Sequence, residues 1–200
     1  MTSSRAIEKQ AVRLACLERR NQLSPNERKD GSSRICEHAL QYLQAHDLLK
    51  NRQVSAYLPI RSEVDLGELL PKMHVAGAGL SLPIVQDKTT IVFRRYTPGD
   101  ALQTAGFGTS GPSGDAAIID PTVLLMPLAG FDRLGARIGY GAGHYDRAIQ
   151  RLLNKNIVPI TIGIAFSAQE VPLVPNEPHD MPLAAIITEA GIYEPKELNS

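Results

Sequence analysis

Val123-Leu124-Leu125-Met126-Pro127-Leu128, followed downstream by Arg137-Ile138-Gly139-Tyr140-Gly141-Ala142-Gly143-His144-Tyr145-Asp146, decides how this chain folds. The first segment is an apolar run of strand length and reads as a buried strand. From the end of the second onward, Tyr145, Ala148, Ile149, Leu152 and Leu153 recur at helical steps and mark one buried helix face. The glycines therefore lie in a connection that ends at a helix N-terminus. Glycine admits close backbone approach and positive φ. The unpaired N–H groups and positive dipole end of the helix favour an anion, phosphate first. A tight structural turn accounts for the glycines alone equally well, since the run is neither a Rossmann fingerprint nor a Walker loop. Arg137 before the glycines and Asp146 after them favour phosphate. A carboxylate at such a site repels the anion unless a cation intervenes, and Mg²⁺ held by carboxylates and substrate phosphates is the common arrangement.

The same alternation extends outward. Helices are expected over 5–22, 25–45, 65–75 and 144–153, and strands over 54–58, 80–85, 90–96, 118–128, 158–165 and 184–188. Ser24, Pro25 and Glu27 supply the cap, first-turn proline and capping-box acid of the second helix. Strands alternating with helices predict an α/β fold with a largely parallel sheet covered on both faces. The strand over 90–96 follows 80–85 so closely that a hairpin, and hence a mixed sheet, is expected. The Gly/Ser/Thr/Pro-rich stretch 106–115 reads as a surface loop, and the polar tail from Glu194 is expected to fray.

Two hundred residues suit one α/β domain, taken as 1–200. The 21 basic and 21 acidic residues balance, so no global charge points to nucleic acid or an anionic membrane. Cys16 and Cys36 fall in helix-patterned segments and read as packed thiols rather than a disulfide or metal pair. The N-terminus lacks a secretory apolar region, and no apolar run reaches membrane-spanning length, so a cytoplasmic protein is expected.

Three further features are candidates for chemistry. Arg5, Lys9 and Arg13 share one helix face, which reads either as a solvated stripe or as cations awaiting an anion. Glu63 follows the first strand, where ligands of α/β sheets bind; beside Asp65 it also reads as a helix-start acid. His179 and Asp180 lie in a proline-stiffened loop, and Asp180 would join Asp146 on Mg²⁺ if the fold brings them together. No nucleophile elbow, zinc helix or reactive cysteine context is present, so no protein nucleophile is expected.

The run from Met126 to Arg147 resembles the core motif of the 5-formyltetrahydrofolate cyclo-ligase family, also called 5,10-methenyltetrahydrofolate synthetases. Lys9, Arg13, Leu58, Glu63, Glu177-x-His179-Asp180 and Ile187-Thr188-Glu189 match its other segments in order. The resemblance implies a three-layer α/β sandwich like that of ribose-5-phosphate isomerase and glucosamine-phosphate deaminase. It implies ATP- and Mg²⁺-dependent closure of 5-formyltetrahydrofolate to 5,10-methenyltetrahydrofolate, with ATP and reduced folate as small-molecule partners of a monomer and neither nucleic acid nor membrane. Carried over, Lys9, Arg13, Arg137, Ile138, Gly139, Tyr140, Gly141, Ala142, Gly143, His144 and Tyr145 would bind ATP. Leu58, Glu63 and the Tyr140–His144 stretch (with Gly141, Ala142 and Gly143) would bind folate, and Asp146 and Asp180 would hold Mg²⁺. Tyr140 and Ala142 stand where some members carry Arg and Lys, and His144 where an aromatic residue is usual. The competing readings are a sugar-phosphate isomerase or deaminase using the same phosphate loop, and a non-catalytic nucleotide- or RNA-binding relative. The basic helix and the two separated aspartates favour nucleotide and metal.

Overall fold

The computed structural model describes residues 4–105, 109–175 and 181–195. Among the described residues the α-helices are α1 (Ser4–Gln22), α2 (Pro25–Ala45), α3 (Leu69–Val75) and α4 (His144–Leu153). The strands are β1 (Gln53–Ser55), β2 (Gly79–Val85), β3 (Ile91–Tyr96), β4 (Gln103–Ala105), β5 (Thr109–Gly111), β6 (Val123–Pro127), β7 (Gly130–Phe131), β8 (Arg137–Ile138), β9 (Ile160–Ile164), β10 (Ala185–Thr188) and β11 (Gly191–Tyr193).

Seven strands form one sheet in the order β11-β10-β9-β6-β1-β2-β3. The inner five are parallel, while β3 and β11 close the two edges antiparallel to β2 and β10. Leu124, Leu125 and Met126 of β6 are all buried, as an unbroken apolar run between two covered faces requires. One face carries α2 and α3, whose Ile35, Leu43, Leu69 and Met73 pack with Val54, Leu80 and Leu125. The other carries α4, whose Ala148, Ile149 and Leu152 pack with Leu124, Met126 and Phe93. The expected helix–sheet–helix layering is therefore observed. At Ser24 the capping box forms in both directions: Ser24 Oγ accepts from Glu27 N at 3.2 Å and Glu27 accepts from Ser24 N at 2.7 Å.

Chain order reverses between β1 and β6: β1 is followed outward by β2 on one side, and β6 by β9 on the other. The crevice beyond the carboxyl ends at such a reversal is where α/β sheets bind ligands. Helix α1 packs at this end, against β7 and the 3-10 turn Ser167–Gln169 that follow β6 and β9. Gly130 permits the approach, since a Cβ there would stand 2.7 Å from Cys16 Sγ. Arg19 fastens the helix by donating from Nε to Ala168 O at 2.7 Å and from Nη2 to Glu170 O at 3.1 Å.

Several expected boundaries move. The strand expected over 118–128 is β6 alone, because Pro121 interrupts the run and Ile118 instead bridges Arg94 at the sheet edge. The helix expected over 65–75 starts at Leu69; Asp65 instead turns back to accept from Gly67 N at 2.8 Å. The strand expected over 54–58 ends at Ser55. The stretch 106–115 is not a plain surface loop. It contains β5, paired with β4 and packed on β2, where a Cβ on Gly111 would overlap Ile84 Cδ1; residues 106–108 lie outside the described residues. The tail is tied at its start, where Glu194 pairs with His46 at 3.0 Å, and β11 was not foreseen.

Candidate active site

The glycine connection lies where its residues predict. Gly141 (φ 97°) and Gly143 (φ 64°) adopt left-handed backbone, and Gly143 is the residue from which α4 starts. Arg13 comes across from α1: its Nε donates to Gly139 O at 2.7 Å, and its guanidinium carbon lies 3.4 Å from where a Gly141 Cβ would stand. The stripe Arg5, Lys9, Arg13 thus runs up to the loop, with Lys9 half-buried and Arg5 exposed. Two contacts brace the start of α4 from the β2–β3 turn. Arg147 Nε donates to Thr89 O at 2.6 Å, and His144 Nε2 lies 3.1 Å from Lys88 O.

Arg137, expected among the ATP contacts, has partners within the protein. Its side chain is only 10% exposed, and it donates from Nη1 to Met181 O at 2.7 Å and from Nη2 to Asp146 Oδ1 at 2.5 Å. It ties the loop to the residues after 180 and orients Asp146, whose own side chain is 63% exposed. Asp132, within the same motif, is buried. Its carboxylate accepts from Leu134, Ala136 and Val174 N–H groups, so it shapes the β7–β8 turn.

Glu63, which meets the loop at Tyr140, is buried rather than placed at a helix start. Its Oε2 accepts from Ile60 N at 2.9 Å, and the Tyr140 hydroxyl hydrogen-bonds it as well. Burial pushes the Glu63 carboxyl above the usual carboxylate range, and Tyr140, the Ile60 N–H and the Arg20 charge oppose that rise. Tyr57 and Tyr145 stand within the field of the Glu63 charge, and their hydroxyls are buried with no hydrogen-bond partner among the described residues. Burial holds both phenols well above their ordinary range, so they are neutral donors. Leu58 is half-buried beside this group. A buried carboxylate, two hydroxyls awaiting partners and an apolar wall suit a flat, polar-edged heterocycle.

The family model for 5-formyltetrahydrofolate cyclo-ligases matches residues 5–189. The chain belongs to the 5-formyltetrahydrofolate cyclo-ligase family. It is 26% identical to the 5-formyltetrahydrofolate cyclo-ligase of Haemophilus influenzae, over 90% of this chain and 97% of that protein. It is 30% identical to the Mycolicibacterium smegmatis cyclo-ligase, over 70% of this chain and 75% of that one. Its fold matches the 5,10-methenyltetrahydrofolate synthetase of Aquifex aeolicus with a TM-score of 0.76 and 28% identity, covering 96% of this chain and 95% of that chain. The family is one of ligases.

Whether this chain's residues fit the Mg²⁺ that the cyclo-ligase resemblance implies turns on Asp146. Its exposed carboxylate beside the glycine loop suits a cation completed by phosphate oxygens and water. Among the described residues no cluster of three or more His, Cys, Asp or Glu gathers to cage a metal. Asp180, His179 and Glu177 lie outside the described residues. Cys16 and Cys36 are free and buried, and burial raises both thiols, Cys36 to about 11, so they are packed thiols as expected.

Two contributors escaped the reading of the sequence. Tyr57 sits beside Leu58 within the strand expected over 54–58, and nothing local marks it. Arg20 follows Arg13 by seven residues and so shares its helix face; that spacing was the available signal. Its Nε donates to Ser62 Oγ at 3.0 Å and its Nη1 to the Tyr140 hydroxyl at 2.5 Å.

Proposed function

We propose that this protein closes 5-formyltetrahydrofolate to 5,10-methenyltetrahydrofolate at the expense of ATP, with ADP and phosphate released. The observation that supports this most is the meeting of distant residues at the glycine loop. Arg13 reaches Gly139 O, the exposed Asp146 carboxylate follows the loop, and the buried Glu63 carboxylate takes the Tyr140 hydroxyl of the same loop.

Lys9, Arg13 and the backbone of Gly139–Tyr145 would take the phosphates, with Ile138 and Ala142 shaping the turn. Asp146, held by Arg137, would carry Mg²⁺ together with Asp180. Bound there, Mg²⁺ would offset negative charge on the phosphates during transfer. Glu63 would accept N–H groups of the pterin, whose carbonyl edge would receive the Tyr57 or Tyr145 hydroxyl, while Leu58 would pack on its face. Tyr140, Gly141, Ala142, Gly143 and His144 would lie between the two substrates.

This arrangement suits a reaction in which substrates react with each other. The formyl oxygen attacks the γ-phosphorus as the bond to ADP breaks. N10 then attacks the activated carbon and loses its proton, and the oxygen leaves with phosphate. Such chemistry needs positioning and charge neutralisation more than a protein nucleophile. Arg13 and the glycine loop position the donor, and Glu63 positions the acceptor.

The test mixes purified protein with 5-formyltetrahydrofolate, Mg²⁺ and ATP and follows the near-ultraviolet absorbance of the methenyl product. Growth of that band only when ATP and metal are both present is expected. ATP binding without product would favour a non-catalytic relative. Neither product nor ATP binding would favour sugar-phosphate chemistry.

A further inference from the structure

Arg20 is only 4% exposed, and a guanidinium so placed is costly unless its donors are satisfied. Two of them reach the residues that frame Glu63. Nε donates to Ser62 Oγ at 3.0 Å, and Ser62 donates onward to Asn21 Oδ1 at 2.5 Å. Nη1 donates to the Tyr140 hydroxyl at 2.5 Å, with the guanidinium carbon 5.6 Å from the Tyr140 ring centroid. Ser62 immediately precedes Glu63, and the Tyr140 hydroxyl hydrogen-bonds the Glu63 carboxylate. Arg20 therefore acts on Glu63 by two routes, one along the chain and one through the loop.

The two routes fix different things. Ser62 sets where the Glu63 backbone sits. Tyr140 occupies part of the acceptor capacity of the carboxylate and leaves lone pairs for pterin N–H donors. The groups facing Glu63 are Arg20 from α1, Tyr57 from beyond β1, Tyr140 from the glycine loop and Tyr145 from α4. Among them Arg20 is the cation. Helix α1 has other anchors in Arg19 and in the Cys16–Gly130 contact, so holding the helix down does not by itself require Arg20.

We propose that Arg20 is a positioning residue for the folate half of the site, holding Ser62 and Tyr140 so that the Glu63 carboxylate meets the substrate in one orientation. The inference rests on the reading of Glu63 as a folate contact.

Steady-state kinetics of Arg20→Met, Arg20→Lys and Tyr140→Phe test it, each substrate being varied at saturation of the other. Arg20→Met is expected to raise the KM for 5-formyltetrahydrofolate about ten- to a hundredfold, the range for losing charge-assisted hydrogen bonds. The KM for ATP stays within about twofold, and Arg20→Lys recovers part of the loss. The acidic limb of kcat/KM for the folate moves to higher pH, because Glu63 loses the charge that favours its ionised form. In a Glu63→Gln background, Arg20→Met adds little, since both changes remove one function.

Equal losses for both substrates with an unmoved acidic limb, or full additivity with Glu63→Gln, would overturn the proposal and leave Arg20 as a helix anchor. If Arg20→Met does not fold, Tyr140→Phe deletes a single hydroxyl and is expected to show the same KM split and the same upward limb. An unchanged folate KM in that variant overturns the proposal equally. Failure of the underlying reading shows separately, as wild type forming no methenyl product or as Glu63→Gln leaving the folate KM unchanged.

Discussion

Glu63 is buried with its carboxyl raised, so ionising it works against folding at neutral pH. The folded-state pKa lies above the unfolded one. Its contribution to stability is therefore fully present below the unfolded pKa and is lost as pH rises through the folded pKa. Glu63→Gln mimics the protonated side chain and keeps an oxygen for Ile60 N. The variant is expected to melt higher than wild type at neutral pH and to lose that advantage at pH below the carboxylate range, while binding folate more weakly. Paired thermal melts across pH check this, and a lower melting point at neutral pH would contradict it. Asp146 differs because it is mostly exposed. Asp146→Asn should stay folded yet need about ten- to a hundredfold more Mg²⁺ for half-maximal rate, the cost of one charge-assisted contact. An unchanged Mg²⁺ titration would remove it from the metal. The place of Asp146 beside the glycine loop was legible because loop, helix start and carboxylate are contiguous. Glu63 stayed open between a ligand and a helix-start acid, since burial is decided by α1 and the glycine loop, both distant in the chain. Arg20 was illegible for the same reason: its partners Ser62 and Tyr140 meet only in the fold.

Helix α1 shows how an element's extent can be legible while its seat in the fold is not. Its extent was readable from periodicity. Its docking depends on Gly130, whose lack of a side chain admits Cys16, and on carbonyls of the Ser167–Gln169 turn that accept from Arg19. Gly130 sits in a two-residue strand with no positive φ, so nothing local marks it as a helix seat. An added methyl would lie 2.7 Å from Cys16 Sγ and 3.4 Å from Gln169 O. Gly130→Ala is expected to cost about 1–3 kcal/mol, the usual penalty of overpacking. Adding Cys16→Ala should restore most of it by removing the sulfur the methyl strikes. Denaturant unfolding of both single variants and the double variant measures the coupling; simple additivity would show that this contact does not seat the helix. The misplaced boundaries have equally local causes. Pro121 splits an apolar stretch that periodicity alone joins, and Asp65 spends its side chain on a turn before α3 can begin.

The site is assembled from three segments far apart in the chain: α1, the connection after β1, and the glycine loop with α4. What joins them is the reversal of strand order at β1 and β6, which places all three at one end of the sheet. The α/β class was legible because buried strands and amphipathic helices alternate. The strand order was not, because an apolar run shows that a strand is buried but not which neighbour it pairs with. The assembly has a mechanical consequence. The first half of α1 exposes Ile7, while buried Cys16 and Arg20 lie in its second half. A helix with few buried apolar contacts at one end opens there more readily than the core. If ATP–Mg²⁺ is held between Lys9, Arg13 and the loop, it binds only the closed arrangement and must suppress that opening. At about a hundredfold excess over Kd such a ligand adds roughly 2.7 kcal/mol. For a chain of this length that raises the melting midpoint by about 5–10 °C. Amide exchange in the first half of α1 should slow on adding ATP–Mg²⁺, along with exchange in the glycine loop. A raised midpoint with unchanged exchange in α1 would place the nucleotide away from the basic helix and return Lys9 and Arg13 to a solvated face.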